Sequence, residues 1–299
     1  MYQDFFDYLP SGSVRIMEPM KNHTSFKIGG PADVMVLPES VDMLKEVIQI
    51  CVSNRLPYFV FGLGSNLLVT DKGFRGIAIK IGNSFKEVKI SGAKIHAQAG
   101  IRLSELSRKA SAASLSGLEF AEGIPGSLGG AIFMNAGAYG SEMKDIVSRV
   151  TVMSPQGEIR SYIKDELELE YRKSRFQKSQ EIIISAELTL TEGDKEEIQA
   201  QMRELAKQRR EKQPLDLPSA GSTFKRPPGY YVGPLIEKMG LKGYQIGGAR
   251  ISEKHAGFIV NTGNATAADV INLIKFVQEK TRELYNIEIE PEIRIIGEN

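Results

Sequence analysis

Between Gly123 and Gly140 the chain reads GIPGSLGGAIFMNAGAYG, eighteen residues with six glycines and no charged residue, in a protein one quarter charged. Glycine tolerates positive φ and carries no Cβ, so such a run marks backbone that turns sharply or that something must approach closely. A shorter run of the same kind, GLGSNLLV, begins upstream at Gly62. Uncovered backbone N–H groups in such loops can cradle phosphate oxygens, and two loops could clamp one pyrophosphate. Neither loop fits a standard nucleotide motif. GLGSNL lacks the third glycine and helix of a dinucleotide fingerprint, and GIPGSLGG lacks the Lys-Ser/Thr pair of a phosphate loop. The second run adds Asn135 and small residues against which a flat ring could lie, so a large phosphate-bearing cofactor suits the pair better than free phosphate.

The net charge of +1 gives no global field for nucleic acid or a membrane surface, so any polyanion site is local. The opening MYQDFFDYLP is acidic where a signal peptide is basic, and no stretch is long and apolar enough to span a bilayer, which predicts a cytoplasmic protein. The single cysteine, Cys51, falls at helical spacing with Leu44, Val47 and Ile48 and reads as a buried thiol. With three histidines and no histidine–cysteine cluster, no metal site is expected, and His255 reads as structural.

Ser40 caps a helix running to about Asn54, PYFVFG reads as a short buried strand, and GIAIKI as another. Strands are also expected in KEVKIS and KIHAQAG, with a helix over Leu103, Leu106 and Ala110. RVTVMSPQGEIRSYI alternates as a hairpin turning on SPQG, and EIIISAELTL is a further strand. A charged helix with Ile198, Met202, Leu205 and Ala206 on one stripe marks a domain boundary, giving domains 1–192, with lobes of roughly 1–82 and 83–192, and 193–299. The second domain holds a short helix at PLIEKMG, a strand in GFIVN and a last strand in IEIEPEIRIIG. Between the last two, Thr266 and Asp269 form a capping box ahead of a helix through Val270, Leu273, Ile274, Val277 and Leu284.

GLGSNLLV, EGIPGSLGGAIFMNAGAYG, YRKSRF, AGSTFKRP, LKGYQIGGARISEKHAGFIVN and EPEIRIIG, in this order, resemble the UDP-N-acetylenolpyruvoylglucosamine reductase family over nearly the whole chain. The resemblance implies an α+β fold: a flavin-binding domain of the vanillyl-alcohol oxidase type, built of two α/β lobes, followed by a substrate domain. It also implies a flavoenzyme of cell-wall precursor synthesis that uses NADPH and FAD to reduce the enolpyruvyl ether of a UDP-sugar, with no nucleic-acid or membrane partner. By motif, Gly62, Leu63, Gly64, Ser65, Asn66 and Leu67 with Gly123, Ile124, Pro125, Gly126, Ser127, Gly129 and Gly130 hold the FAD pyrophosphate, and Asn135, Ala136 and Gly137 lie close to the flavin. Neither loop contains the histidine or cysteine with which some relatives tether flavin, so the FAD is expected to be noncovalent. The interval from YRKSRF to AGSTFKRP is too short for the extra tyrosine-bearing segment of one form of the enzyme, so the chain resembles the shorter form.

Hydride addition to the enolpyruvyl β-carbon drives negative charge onto the substrate carboxylate, which needs stabilisation and then a proton on the adjacent carbon. The resemblance gives the first task to Arg172 and Glu292 and the second to Ser222, with Lys225 a candidate to ease the serine's loss of a proton. Read alone, Arg172 is a surface residue, Ser222 a hydrogen-bonded turn serine after Gly221, and Glu292 a solvent-facing strand residue. For the substrate pyrophosphate the candidates are Lys212, Lys225 and Arg226, with Arg294 a candidate near the carboxylate. The rival readings are another FAD-dependent oxidase of the same fold and a non-catalytic flavin- or nucleotide-binding protein. An oxidase has no need of AGSTFKRP and EPEIRIIG, and a binding protein has none of the intact Arg172, Ser222 and Glu292.

Overall fold

Ser40 is extended, its side chain accepts from the N–H of Met43 at 3.1 Å, and the helix Val41–Ser53 begins where the sequence predicts. Leu44, Val47, Ile48 and Cys51 repeat on one face and are fully buried. Burial pushes the Cys51 thiol up to about 12, as befits a core group. In the computed structural model Tyr2, Phe6 and residues 9–298 are described, so the acidic character read in MYQDFFDYLP lies mostly outside the described residues.

The chain forms two compact units. The first comprises Met1–Ile16, Val34–Leu63 and Gly76–Arg209, the second Met17–Asp33, Gly64–Arg75 and Arg210–Asn299. This division differs from the boundary expected at residue 193. The helix Lys195–Lys212 stays with the first unit as far as Arg209, with Ile198 and Met202 buried, and two early segments belong to the second unit.

In the first unit, Tyr58–Phe61 pairs in parallel with Phe74–Lys80, Tyr58 opposite Ile77. PYFVFG is half-buried rather than buried, because Tyr58–Phe61 is the end strand of a four-stranded sheet ordered Val14–Pro19, Pro31–Val36, Phe74–Lys80, Tyr58–Phe61. A second, antiparallel sheet has the order Ile159–Ile163, Val147–Met153, Ile182–Thr189, Lys94–Gln98, Val88–Ser91. Its hairpin turns on SPQG, with Gly157 at φ +81° donating to the Ser154 carbonyl at 2.9 Å. Inward residues of both sheets, among them Ile77, Ile79, Val150 and Ile184, share one core with Leu103, Leu106 and Ala110 of the helix Leu103–Ala112. Within the second glycine run a short helix, Leu128–Phe133, starts at Ser127.

In the second unit, strands Gln245–Ile246, Ala249–Ile251 and Ile259–Asn261 form an antiparallel sheet, and the helix Ala267–Tyr285 buries Val270, Leu273, Ile274 and Val277 in the same core. The Thr266–Asp269 capping box forms as predicted. Asp71 adds to it, its two carboxylate oxygens accepting from the N–H groups of Ala267 at 2.8 Å and Ala268 at 2.9 Å, where the helix dipole favours negative charge. Leu284, in phase with the apolar stripe, is 59% exposed because the last turn outruns the core before Asn286 ends the helix. Of IEIEPEIRIIG only Arg294–Ile296 is a strand, since Pro291 cannot donate to a ladder. That strand pairs in parallel with Leu67–Val69, Arg294 opposite Leu67, which draws the end of the first glycine run into this unit. Among the described residues no helix is long and apolar enough to cross a membrane.

Candidate active site

The missing side chains of the glycine runs answer first to the protein itself. A Cβ at Gly62 would lie 2.2 Å from Oγ of Ser127, at Gly64 2.1 Å from the His23 carbonyl oxygen, at Gly129 2.9 Å from Cβ of Ala99, and at Gly137 2.6 Å from Cβ of Glu142. At Gly123 it would meet Cδ of Arg209 at 2.7 Å; burial lowers the pKa of that guanidinium, with Tyr139 opposing the shift. Gly130 is different: it is exposed, and its Cβ direction meets only Ser127 Oγ, at 3.5 Å. Backbone and Cβ atoms of the fold exclude side chains at Gly64, Gly129 and Gly137, a side chain at Gly62 or Gly123 would have to displace that of Ser127 or Arg209, and Gly130 offers open approach.

The backbone donors divide in the same way. Leu128 and Gly129 donate to the carbonyls of Ile101 at 2.9 Å and Ala99 at 2.8 Å, and Gly130 to Ser127 Oγ at 3.5 Å, so the second run spends much of its donor set internally. In the first run, among the described residues, the N–H groups of Leu63, Gly64, Ser65 and Asn66 find no protein acceptor. Four successive unclaimed donors around a glycine at φ +65° fit an anion such as a cofactor pyrophosphate. Ile124, Pro125 and Gly126 continue the second run, Ile124 packing on the core and Pro125 exposed.

Asn135 does not offer its side chain to a ligand, contrary to expectation. It is fully buried, with Nδ2 donating to Glu142 Oε2 at 3.1 Å and to the Glu170 carbonyl at 2.9 Å, while Oδ1 accepts from the Lys144 N–H at 2.9 Å. Ala136 and Gly137 follow as backbone: Ala136 receives the Met143 N–H at 2.9 Å, and Gly137 pairs with Glu142. Arg172 sits in a tight turn closed by Glu170 and Lys173, at φ +55°, its Nη1 and Nη2 donating to the carbonyls of Asn135 at 3.4 Å and Gly137 at 3.3 Å. The structure thus brings Arg172 and the end of the second glycine run together within the first unit.

Ser222 and Glu292 belong to the second unit, and there they are brought together. Buried Thr223 is the anchor. Its N–H donates to Gly257 O at 2.8 Å, its Oγ1 accepts from Ile259 N–H at 3.0 Å, and its carbonyl accepts from Glu292 N–H at 2.8 Å. Phe224 bridges Pro291, and Lys225 N–H donates to Glu290 O, so the serine and glutamate segments run side by side. Asn66 reaches the same segment: Nδ2 donates to the Glu292 carbonyl at 3.1 Å, and its own carbonyl accepts from Arg294 N–H at 3.0 Å. Its side chain is therefore spent on the chain, not on a pyrophosphate. Ser222 is exposed, and among the described residues its hydroxyl is in no hydrogen bond, unlike an ordinary turn serine.

Lys225 pairs with Glu290, Nζ to Oε2 at 2.9 Å, rather than with Ser222. A surface pair of this kind is worth ~0–1 kcal/mol, so a phosphate can displace it. Lys212, Arg226 and Arg294 are exposed, the Arg226 guanidinium lying 4.2 Å over the Tyr231 ring. His255 is lodged between Gly233 and Gly257, its Nδ1 accepting from Gly257 N–H at 3.1 Å, and burial lowers its pKa, helped by the charge of Lys242. Among the described residues no three His, Cys, Asp or Glu side chains cluster to hold a metal ion.

Residues 32–162 match an FAD binding domain, and residues 213–296 match the C-terminal domain of UDP-N-acetylenolpyruvoylglucosamine reductase. The chain is 56% identical to the UDP-N-acetylenolpyruvoylglucosamine reductase of Syntrophomonas wolfei over 100% of both chains. The chain belongs to the UDP-N-acetylenolpyruvoylglucosamine reductase family. The enzyme of that name from Alkaliphilus oremlandii is 53% identical over 99% of this chain and 98% of its own. The crystal structure of the reductase from Thermus caldophilus matches with a TM-score of 0.82 at 38% identity, covering 94% of this chain and 99% of that one. As a reductase of this family the chain is an FAD-dependent oxidoreductase of peptidoglycan precursor synthesis, its fold an FAD-binding domain followed by the family's C-terminal domain. Reading the motifs alone missed Glu142, Lys144 and Gln177, which fasten Asn135 and the Arg172 turn. Nothing in the motifs pointed to the partners of Asn135.

Proposed function

We propose that the chain reduces the enolpyruvyl ether of UDP-N-acetylglucosamine enolpyruvate to the lactyl ether of UDP-N-acetylmuramate, in the cytoplasm, with NADPH as reductant and FAD held noncovalently. The observation that carries the proposal is the exposed, unengaged hydroxyl of Ser222 on the segment that runs beside Glu292. The unclaimed N–H groups of Leu63–Asn66 would hold the FAD pyrophosphate, Gly130 is open to approach, and the bound cofactor would supply hydride chemistry with NADPH as the electron source.

The chain's own residues manage charge and protons. Hydride addition at the enolpyruvyl β-carbon leaves negative charge spread over the α-carbon and the carboxylate. Arg172, permanently charged and planar, meets that carboxylate. Glu292 supports the same charge by donating a hydrogen bond, a role that requires its protonated form. Ser222 gives its hydroxyl proton to the α-carbon, which completes the reduction and leaves the serine to regain a proton from solvent. Lys212, Lys225 and Arg226 supply cations for the substrate pyrophosphate, with Lys225 released from Glu290, and Arg294 supplies one near the carboxylate.

Stopped-flow absorbance separates the two half-reactions. Ser222→Ala is expected to leave reduction by NADPH unchanged and to slow reoxidation by the enolpyruvyl UDP-sugar, without oxygen, by ~10²–10⁴-fold, the usual worth of a positioned acid. Equal loss in both half-reactions, or reoxidation only when oxygen is admitted, overturns the proposal.

A further inference from the structure

We infer that Asn135 is a positioning residue for Arg172, fixing from inside the fold where the guanidinium can reach; the inference rests on the role proposed above for Arg172. The Arg172 turn is short. It is a two-residue loop, Glu170 and Lys173 bonding to each other at 3.0 and 3.3 Å, with Arg172 in the left-handed region that disfavours side chains. Asn135 contacts this turn twice. Its Nδ2 donates to the carbonyl of Glu170, where the turn begins, and its own carbonyl receives Nη1 of Arg172. The amide is in turn locked by Glu142 Oε2 and by the N–H of Lys144, so two remote stretches of chain, 142–144 and the Glu170 turn, meet on one buried side chain.

Asn135 itself adopts φ +41°, a conformation asparagine tolerates better than most residues, so backbone and amide ask for the same residue. The guanidinium contacts, at 3.3 and 3.4 Å, are longer than ordinary hydrogen bonds. They tie the guanidinium to the end of the second glycine run, while the amide of Asn135 holds the turn itself. A second bond from outside, Gln177 Nε2 to the Arg172 carbonyl at 3.0 Å, steadies the same turn.

The test is a double-mutant cycle on the FAD-loaded enzyme. Asn135→Gly keeps the left-handed backbone and deletes only the amide. It is expected to leave the flavin spectrum, FAD affinity and reduction by NADPH as in the parent, and to slow reoxidation at saturating substrate by about 10- to 100-fold. In the Arg172→Lys background the same change should cost less than about twofold, because Asn135 acts through the arginine. Undiminished reoxidation in Asn135→Gly, or the same slowing with and without Arg172→Lys, overturns the inference. If Arg172→Lys alone leaves reoxidation intact, the role proposed for Arg172 fails at its own corner of the cycle and the inference falls with it. Should Asn135→Gly not fold, Glu142→Ala leaves Asn135 in place and removes one of its partners. It should then show a smaller slowing confined to reoxidation that vanishes with Arg172→Lys, and a slowing that persists overturns the inference.

Discussion

Gly129 and Gly130 are neighbours under opposite constraints. A methyl at Gly129 would press on Cβ and the carbonyl of Ala99, at 2.9 and 3.3 Å, where rigid backbone has no room to give. A methyl at Gly130 meets only Ser127 Oγ at contact distance and sits in a short helix, where alanine is preferred to glycine. Gly129→Ala should therefore cost ~1–3 kcal/mol of stability in the FAD-free protein, the usual price of overpacking, while Gly130→Ala should change it by less than ~0.5 kcal/mol. If the open backbone at Gly130 is where the cofactor approaches, Gly130→Ala should nonetheless weaken FAD binding about tenfold, a loss of about 1.4 kcal/mol by the standard conversion. Melting curves and flavin fluorescence titration read the two effects separately, and a Gly130→Ala protein with full FAD affinity would contradict the assignment. Asn66 and Asn135 teach the same lesson from the other side: both lie in glycine runs, and both spend their amides on the backbone beside a charged residue, Glu292 in one case and Glu170, two before Arg172, in the other.

The loop 252–258, between the strands Ala249–Ile251 and Ile259–Asn261, is built around His255. Two glycines make room for its ring, whose carbon Cε1 lies 3.2 Å from a Cβ built at Gly233 and 3.0 Å from one at Gly257, and Phe258 meets the ring edge-on at 5.0 Å between centroids. Because Nδ1 accepts a backbone hydrogen bond, the folded loop favours the neutral ring, and burial with nearby Lys242 lowers the pKa. The unfolded chain then takes up the proton first. Stability from His255 is complete above the unfolded value of ~6.5 and falls as the pH drops below it, by at most ~1.4 kcal/mol per pH unit. His255→Asn keeps an acceptor for the Gly257 N–H and removes the titration, so its melting temperature should fall less between pH 7.5 and 5.5 than that of the parent. Parallel falls would show that His255 contributes nothing to the pH dependence. Elements with local rules were legible: the helix Val41–Ser53 from Ser40 and its apolar period, the helix Ala267–Tyr285 from Thr266 and Asp269, the hairpin from SPQG. Leu284 misled because period reports which face a residue takes and not how far the core extends.

At the scale of the whole molecule, what sequence could not show was set by pairings remote along the chain. Leu67–Val69 follows a strand–turn pattern that belongs by sequence to the first domain, yet its parallel partner is Arg294–Ile296 at the other end of the protein, and it sorts with the second unit accordingly. No local pattern announces a partner so distant, and only the ordered motifs of the family anticipated that Ser222 and Glu292 share one place. The cofactor calls for a further prediction at this scale. Cys51 is buried in a helix and neither glycine run contains histidine or cysteine, so the FAD is expected to be held without a covalent tether. Acid precipitation should leave the yellow colour in the supernatant, and removing FAD under mild conditions should give a protein that melts at lower temperature. Since the native state alone binds the cofactor, returning FAD to 100 times its dissociation constant should restore ~2.7 kcal/mol, and the melting temperature should keep climbing with added FAD. Flavin that travels with the pellet would show a covalent link and overturn the noncovalent assignment, and a melting temperature indifferent to FAD would mean that the free N–H groups of Leu63–Asn66 hold nothing.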